Sequence, residues 1–257
     1  MRSHPRRVEL IGKRILITGG GSGIGLELAR RLADDNRVVI SGRDEQRLAR
    51  AQAEIPRLAV RGLDVTSEDE AGETVAWLER ELGGLDVLVN CAGLLRGYAL
   101  TDAGAALKSS EDVEVNLLGV LRMTRLALPL LEASGGGAVV YISSAVALAA
   151  VPGFSVYGAT KAAVHSLARS LRLELSPSDV RVFEVVPPLV DTGPVRDLDV
   201  PKLTPGEVAD AIIAGIERDR EELRVGRVRQ LALIARLTPR LADRLLVRAF
   251  TPDREGS

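Results

Sequence analysis

Tyr157 and Lys161 stand four residues apart in the run VYGATKAA, among glycine, alanine and threonine. Four residues is about one helical turn, so a helix here presents the phenol and the ammonium on one face. A free phenol has a pKa of ~10, and a neighbouring cation favours its ionised form. Two readings follow from the pair alone. It is either a solvated surface pair or a proton donor whose acidity is being raised. The small neighbours Gly158, Ala159 and Ala162 leave room for another group to come close.

Positioning such a pair requires a scaffold, and the pattern of the chain describes one. Short β-branched runs occur at Ile15–Ile17, Val38–Ile40, Leu58–Val60, Val87–Val89, Ala138–Ile142, Val180–Val186 and Leu223–Val225. Between them lie segments of helical periodicity: Gly23–Ala33, Glu45–Glu54, Glu68–Leu82, Ser110–Leu131, Tyr157–Leu175 and Pro205–Arg218. Strands without polar alternation, separated by helices, read as a parallel sheet buried on both faces. Right-handed crossovers then give an α/β fold: a doubly wound, Rossmann-type three-layer sandwich with a largely parallel seven-stranded sheet. No linker or low-complexity segment divides residues 1–257, so one domain is expected.

Composition narrows the function. A hydrophobic fraction of 46% with 27% charged residues describes a globular chain with a substantial core. A formal net charge of −1 gives no electrostatic reason to expect nucleic acid as a partner. The single cysteine, Cys91, reads as a small buried hydrophobe, and two histidines far apart, His4 and His165, make no metal site. The run MRSHPRRVEL lacks the apolar core of a signal peptide, and no run approaches ~18 apolar residues, so a cytoplasmic location is expected.

The first strand leads into TGGGSGIG and then a helix. Gly19, Gly23 and Gly25 allow a tight turn, a close approach of backbone to pyrophosphate, and close helix–strand packing. Gly21, Ser22 and Ile24 complete the loop. The second strand ends in Ser41–Gly42–Arg43, with no acid to meet a ribose 2′-hydroxyl. Arg43 can instead pair with a 2′-phosphate, which favours NADP(H) over NAD(H). Asp44 is read as the cap of the next helix. Asp64 and Val65 follow the third strand, and Asn90, Ala92 and Gly93 follow the fourth, where ligands of such sheets collect.

Taken together, TGGGSGIG, Asn90–Gly93 (NCAG), Asn116–Gly119 (NLLG), Ile142–Ser144 (ISS) and Tyr157–Lys161 (YGATK) resemble the short-chain dehydrogenase/reductase family in order and spacing. The resemblance implies that Tyr157 is the general acid/base. It implies that Lys161 lowers the Tyr157 pKa and binds the nicotinamide ribose, and that Ser144 binds the substrate oxygen. Asn116 would hold a water linking Lys161 to solvent. It also implies that Val190 and Thr192 hold the nicotinamide carboxamide and that Pro187 belongs to the cofactor site. A homodimer or homotetramer joined through the helices carrying Asn116 and Tyr157 is expected. The chain departs from the family at Pro187–Pro188, where Pro-Gly is usual; the second proline stiffens the loop that follows. The segment Gly193–Leu203 is expected to fold over substrate.

The expected activity is therefore hydride transfer between NADP(H) and a small apolar carbonyl or secondary alcohol. Leu94, Leu95, Val146, Leu148, Val151, Pro152, Phe154 and Leu189 are read as surrounding the reacting carbon, with core packing as the alternative. Arg96 is read as exposed, and Ser143 as pointing into the sheet. Residues 224–250 form a basic amphipathic segment with seven arginines and one acid, Asp243. Thr238–Pro239 marks a helix start there. Three uses of that segment stand open: a subunit contact or cover over the site, contact with an anionic membrane surface, and a solvated helix. Two rival functions also stand: a nucleotide sensor without turnover, and a membrane-associated reductase of a lipidic substrate.

Overall fold

The computed structural model describes residues 8–193 and 199–250. Its strands are β1 (Arg14–Thr18), β2 (Arg37–Gly42), β3 (Ala59–Gly62), β4 (Val87–Asn90), β5 (Ala138–Ile142), β6 (Arg181–Val186) and β7 (Glu222–Arg224). They lie in the order β3-β2-β1-β4-β5-β6-β7, and every neighbouring pair is parallel. The strands alternate with α1 (Gly23–Leu32), α2 (Glu45–Glu54), α3 (Glu68–Trp77), α4 (Ala105–Val113), α5 (Gly119–Ala133), α6 (Ser155–Glu174) and α7 (Pro205–Glu217).

Strand alternation divides the core in two. Ile15, Ile17, Ile40, Val89, Val140 and Val185 face Leu28, Leu48 and Ile212 on one side. Leu16, Val39, Leu88, Val139 and Val182 face Met123, Ala127, Val164 and Ala168 on the other. Burial of each such side chain stabilises the fold by about 1.5–3 kcal/mol before chain entropy is counted. Both faces need apolar residues, which is why the strand sequences show no polar alternation.

Apart from the π-helical turn Leu78–Leu82 that ends the helix expected over Glu68–Leu82, two helical features differ from the sequence expectation. The helix expected over Ser110–Leu131 begins at Ala105 and is interrupted by a π-helical turn, Glu114–Leu118. Gly119, just after that turn, has no room for a side chain: a Cβ would lie 2.7 Å from a Val65 methyl. Hydrophobic periodicity cannot distinguish such a turn from continuous α-helix. The second difference is α8 (Val228–Leu237), which precedes the expected helix, α9 (Pro239–Phe250). These two pack as a hairpin. Of the expected loop Gly193–Leu203, residues 194–198 lie outside the described residues, as does His4. Val190 and Leu203 pair in an isolated parallel bridge at its base.

β1 and β4 are neighbours, yet the chain leaves them toward β2 and β5 on opposite sides. The crevice at their carboxyl ends is where such sheets bind ligands.

Candidate active site

A cavity of about 1040 Å³ opens at this crevice. Its wall includes Gly19, Ser22, Gly23 and Ile24 from the turn after β1, and Gly93, Leu94 and Leu95 after β4. Ser143 and Ser144 come from the end of β5, Tyr157 and Lys161 from α6, and Pro187–Gly193 from the loop after β6.

The glycine turn is locked from behind. The Thr18 hydroxyl accepts hydrogen bonds from the Cys91 and Ala92 N–H groups, each at 3.1 Å, tying the end of β1 to the end of β4. Gly19 has φ +68°, and a Cβ there would lie 2.7 Å from the Ala92 Cα. A Cβ on Gly25 would lie 2.7 Å from the Gly19 carbonyl oxygen, so Gly25 serves packing rather than the cavity wall. Ser22 is the N-cap of α1 but makes no side-chain capping bond. The first-turn N–H groups of α1 are therefore left to meet an anion, with the helix dipole in support. Gly21 stands behind the wall against Arg47.

The end of β2 carries no acid on the cavity side. Asp44 accepts from Arg47 N–H at 3.0 Å, capping α2 as expected. Arg43 is largely exposed, with its guanidinium 3.8 Å from Asp64, and does not form the cavity wall; Arg47 and Arg50 do. These two arginines were not legible as site residues, because on sequence they look like the solvated face of α2. Asp64 accepts from the N–H and hydroxyl of Thr66 at 2.9 and 2.8 Å, and Val65 is buried. Asn90 is buried and donates to the Thr124 hydroxyl at 3.2 Å. Asp64, Val65, Asn90 and Ala92 thus stand one layer behind the wall, shaping it.

Tyr157, Lys161 and His165 lie in one row along α6, each reaching a different part of β5–β6. Ser144 caps a short 3₁₀ turn and hydrogen-bonds the Tyr157 phenol. Lys161 donates to the Ile142 carbonyl at 2.9 Å, and its Nζ lies 5.7 Å from the centre of the Tyr157 ring. Burial pushes the Lys161 ammonium down to about 8. Burial also pushes the Tyr157 phenol up to about 12, the Ser144 hydrogen bond opposing it. That direction is opposite to the lowering expected from the sequence. Desolvation of the phenolate is the largest cause, and the Lys161 ammonium is drawn toward the Ile142 carbonyl. Burial likewise pushes the Cys91 thiol up to about 11, which keeps it an un-ionised packing group.

Asn116 sits in the π turn and is fully buried behind the wall. Its side chain accepts from Leu94 N–H at 2.7 Å and donates to the Leu94 carbonyl at 2.9 Å. What it does is hold the segment after β4 against the π turn.

Ser143 points into the sheet, donating to Glu184 at 2.5 Å. Glu184, on β6, is fully buried and also receives His165 Nδ1 at 2.8 Å. Sequence distance hid this triad. Glu222 completes a group in which one ligand-type atom from each of His165, Glu184 and Glu222 lies within 4.8 Å of the others, although Glu184 is already engaged by His165 and Ser143. The hydrogen bond to Glu184 raises the His165 pKa, with Glu222 adding to the effect and burial and Arg169 opposing it. The pair's contribution to stability is therefore full below the unfolded histidine pKa of ~6.5 and is lost as pH rises through the higher folded value. Urea unfolding of the wild type and His165→Gln should show a stability gap at pH 6 that narrows by pH 9. A gap independent of pH would exclude this linkage.

Of the apolar residues read as surrounding the reacting carbon, Leu94, Leu95 and Leu189 reach the wall. Val146 and Val151 are buried in a third cluster, with Leu148 and Phe154 packed against it, so those four are packing residues. Arg96 is on the wall but not free: it pairs with buried Asp112 at 2.7 Å and with Glu111 at 2.6 Å. Phe250, at the end of α9, was not anticipated; it lines the cavity and packs edge-on to Phe154 at 5.2 Å.

A Rossmann-type sheet, an uncapped helix N-terminus beneath a glycine turn, and a Ser–Tyr–Lys set at the same cavity define a dinucleotide-dependent oxidoreductase class. The chain belongs to the short-chain dehydrogenase family, whose model matches residues 13–201. It is 36% identical over 188 residues to the uncharacterized oxidoreductase DltE of Bacillus subtilis, covering 72% of this chain and 75% of that one. An uncharacterized oxidoreductase of Staphylococcus saprophyticus is 34% identical over 220 residues, covering 82% and 94%. Among solved structures, a short-chain dehydrogenase from Burkholderia cenocepacia in complex with NADP superimposes with a TM-score of 0.82 at 28% identity, covering 95% and 100%. The closed form of a serine dehydrogenase complexed with NADP+ gives 0.71 at 30% identity, covering 77% and 86%. No helix among the described residues is long and apolar enough to cross a membrane.

Proposed function

We propose that this protein is an NADP(H)-dependent reductase or dehydrogenase acting on an apolar carbonyl/secondary-alcohol pair. The observation that carries the reading is that the Ser144–Tyr157–Lys161 set and the uncapped N-terminus of α1 open onto one cavity. A nicotinamide dinucleotide, when bound, supplies hydride exchange. The residues present fit it: the glycine turn leaves a cradle that a Cβ would fill, and Thr192 packs 3.1 Å from the place of a Cβ on Gly23. Arg43, Arg47 and Arg50 surround the end of β2 where the ribose phosphate would lie, and outnumber the two carboxylates beside them, Asp64 at 3.8 Å from Arg43 and Asp44 at 3.0 Å from Arg47.

Ser144 and Tyr157 share the substrate oxygen. Held protonated by burial, Tyr157 donates its proton as negative charge develops on that oxygen, and Ser144 stabilises the charge by a hydrogen bond. Lys161, with its acidity raised by burial, is positioned to bind a ribose hydroxyl and to oppose the charge left on the phenolate. Leu94, Leu95, Leu189 and Phe250 exclude water and favour an apolar substrate. Exposed Leu107, Leu118, Leu121 and Leu173 on or beside α4, α5 and α6 support a homodimer or homotetramer through those helices, and a cytoplasmic setting accords with this reading.

NADPH oxidation against a panel of apolar ketones and aldehydes tests the activity. Turnover of at least one class is expected; tight NADPH binding with none turned over would favour the sensor instead. Arg43→Ala should weaken NADPH binding by about tenfold or more, in line with a charge-assisted contact, and leave NADH nearly unchanged. Equal losses would move the phosphate contact to Arg47 or Arg50.

A further inference from the structure

We infer that the α8–α9 hairpin is a docking surface for an anionic lipid bilayer. The hairpin has two distinct faces. Inward, Val228, Ala232, Ala242 and Leu246 are buried against the third core cluster. Outward, Leu233, Leu237, Leu241 and Leu245 are 60%, 70%, 45% and 38% exposed. On α8 the exposed leucines lie opposite the core-facing residues, and on α9 they lie between those residues and the arginines.

The charges beside these leucines are of one sign. Arg227, Arg229, Arg236, Arg240, Arg244 and Arg248 are all exposed, and none pairs with a carboxylate among the described residues. Elsewhere in the fold arginines are commonly paired, as Arg14 with Asp86, Arg31 with Asp210 and Arg122 with Glu68. The hairpin's single acid, Asp243, is turned inward and accepts from the Ala150 N–H at 2.9 Å.

Charge complementarity decides the occupant. A second copy joined symmetrically through this face would set arginines against arginines, with no carboxylate of the described hairpin residues turned outward between them. A nucleic acid would meet the arginines but leave the four leucines in water. An anionic bilayer surface takes both: acyl-chain boundary for the leucines, phosphate headgroups for the guanidiniums. The chemistry of the catalytic site does not enter this inference, since binding requires no turnover.

The test is co-sedimentation of the full-length protein with vesicles of phosphatidylcholine alone or mixed with phosphatidylglycerol. Binding to the mixed vesicles, lost on pure phosphatidylcholine and weakened at 0.5 M salt, is expected. Arg240→Gln with Arg244→Gln should reduce it by about thirtyfold, the worth of two cations near an anionic leaflet. Leu237→Ser with Leu241→Ser should reduce it by at least about tenfold. All four positions are exposed, and unchanged thermal melting and NADPH binding would establish that the variants fold. Wild-type protein left in the supernatant with anionic vesicles overturns the inference. So does binding unaffected by the leucine changes, or a leucine variant whose sole effect is a smaller species on size exclusion, which would assign the face to a second copy.

Discussion

Tyr157→Phe is expected to lower turnover by about 10²–10⁴-fold while leaving NADPH binding and folding intact. The substitution removes one oxygen and keeps the ring that packs on the third core cluster. Its hydroxyl is the group that burial holds protonated, up to about 12, and that Ser144 hydrogen-bonds. A positioned general acid contributes a factor of this size, equivalent to about 3–5 kcal/mol of transition-state stabilisation. Lys161 cannot replace it, since its ammonium is directed at the Ile142 carbonyl. Steady-state assays with the best substrate, beside NADPH titration by fluorescence, would separate the two effects. Turnover within a few fold of wild type would remove Tyr157 from the chemistry; joint loss of turnover and nucleotide binding would make it a structural residue.

A second large effect is expected at Gly19. Alanine there must adopt a left-handed backbone conformation at a cost of about 1–2 kcal/mol, and its Cβ would meet the Ala92 backbone at 2.7 Å. That backbone cannot yield easily, because Thr18 fastens Ala92 to the end of β1. Gly19→Ala should therefore cost about 2–4 kcal/mol of stability and displace the turn that presents the α1 N-terminus, with loss of NADPH binding. Gly72→Ala provides the control: in α3 a Cβ there meets nothing within 4 Å, and helix propensity favours alanine by up to about 1 kcal/mol. Differential scanning fluorimetry with and without NADPH reads both. A Gly19→Ala protein as stable and as nucleotide-responsive as wild type would contradict the locked-turn account.

Local chemistry made much of this protein legible from its sequence. The doubly wound sheet followed from buried, non-alternating strands, because a strand covered on both faces has no polar side to show. The glycine turn followed from residues whose missing side chains have one economical use. Tyr157, Lys161 and Ser144 followed from a helical repeat and motif order, and the fold brings them to a single cavity. Asp44 capping α2 and Pro239 opening α9 are likewise local events.

Only the tertiary structure decided what depends on distant parts of the chain. Burial reversed the expected direction of the Tyr157 shift, since desolvation is a property of everything packed around a group. The Ser143–Glu184–His165 triad joins residues from two strands and a helix. The π turn at Asn116 answers to the backbone of Leu94, twenty-two residues earlier. Val146 and Val151 proved to be packing residues, whereas Arg47, Arg50 and Phe250 reached the cavity. Side-chain type shows what a residue can do; which wall it faces depends on how layers separated in sequence come to rest against one another.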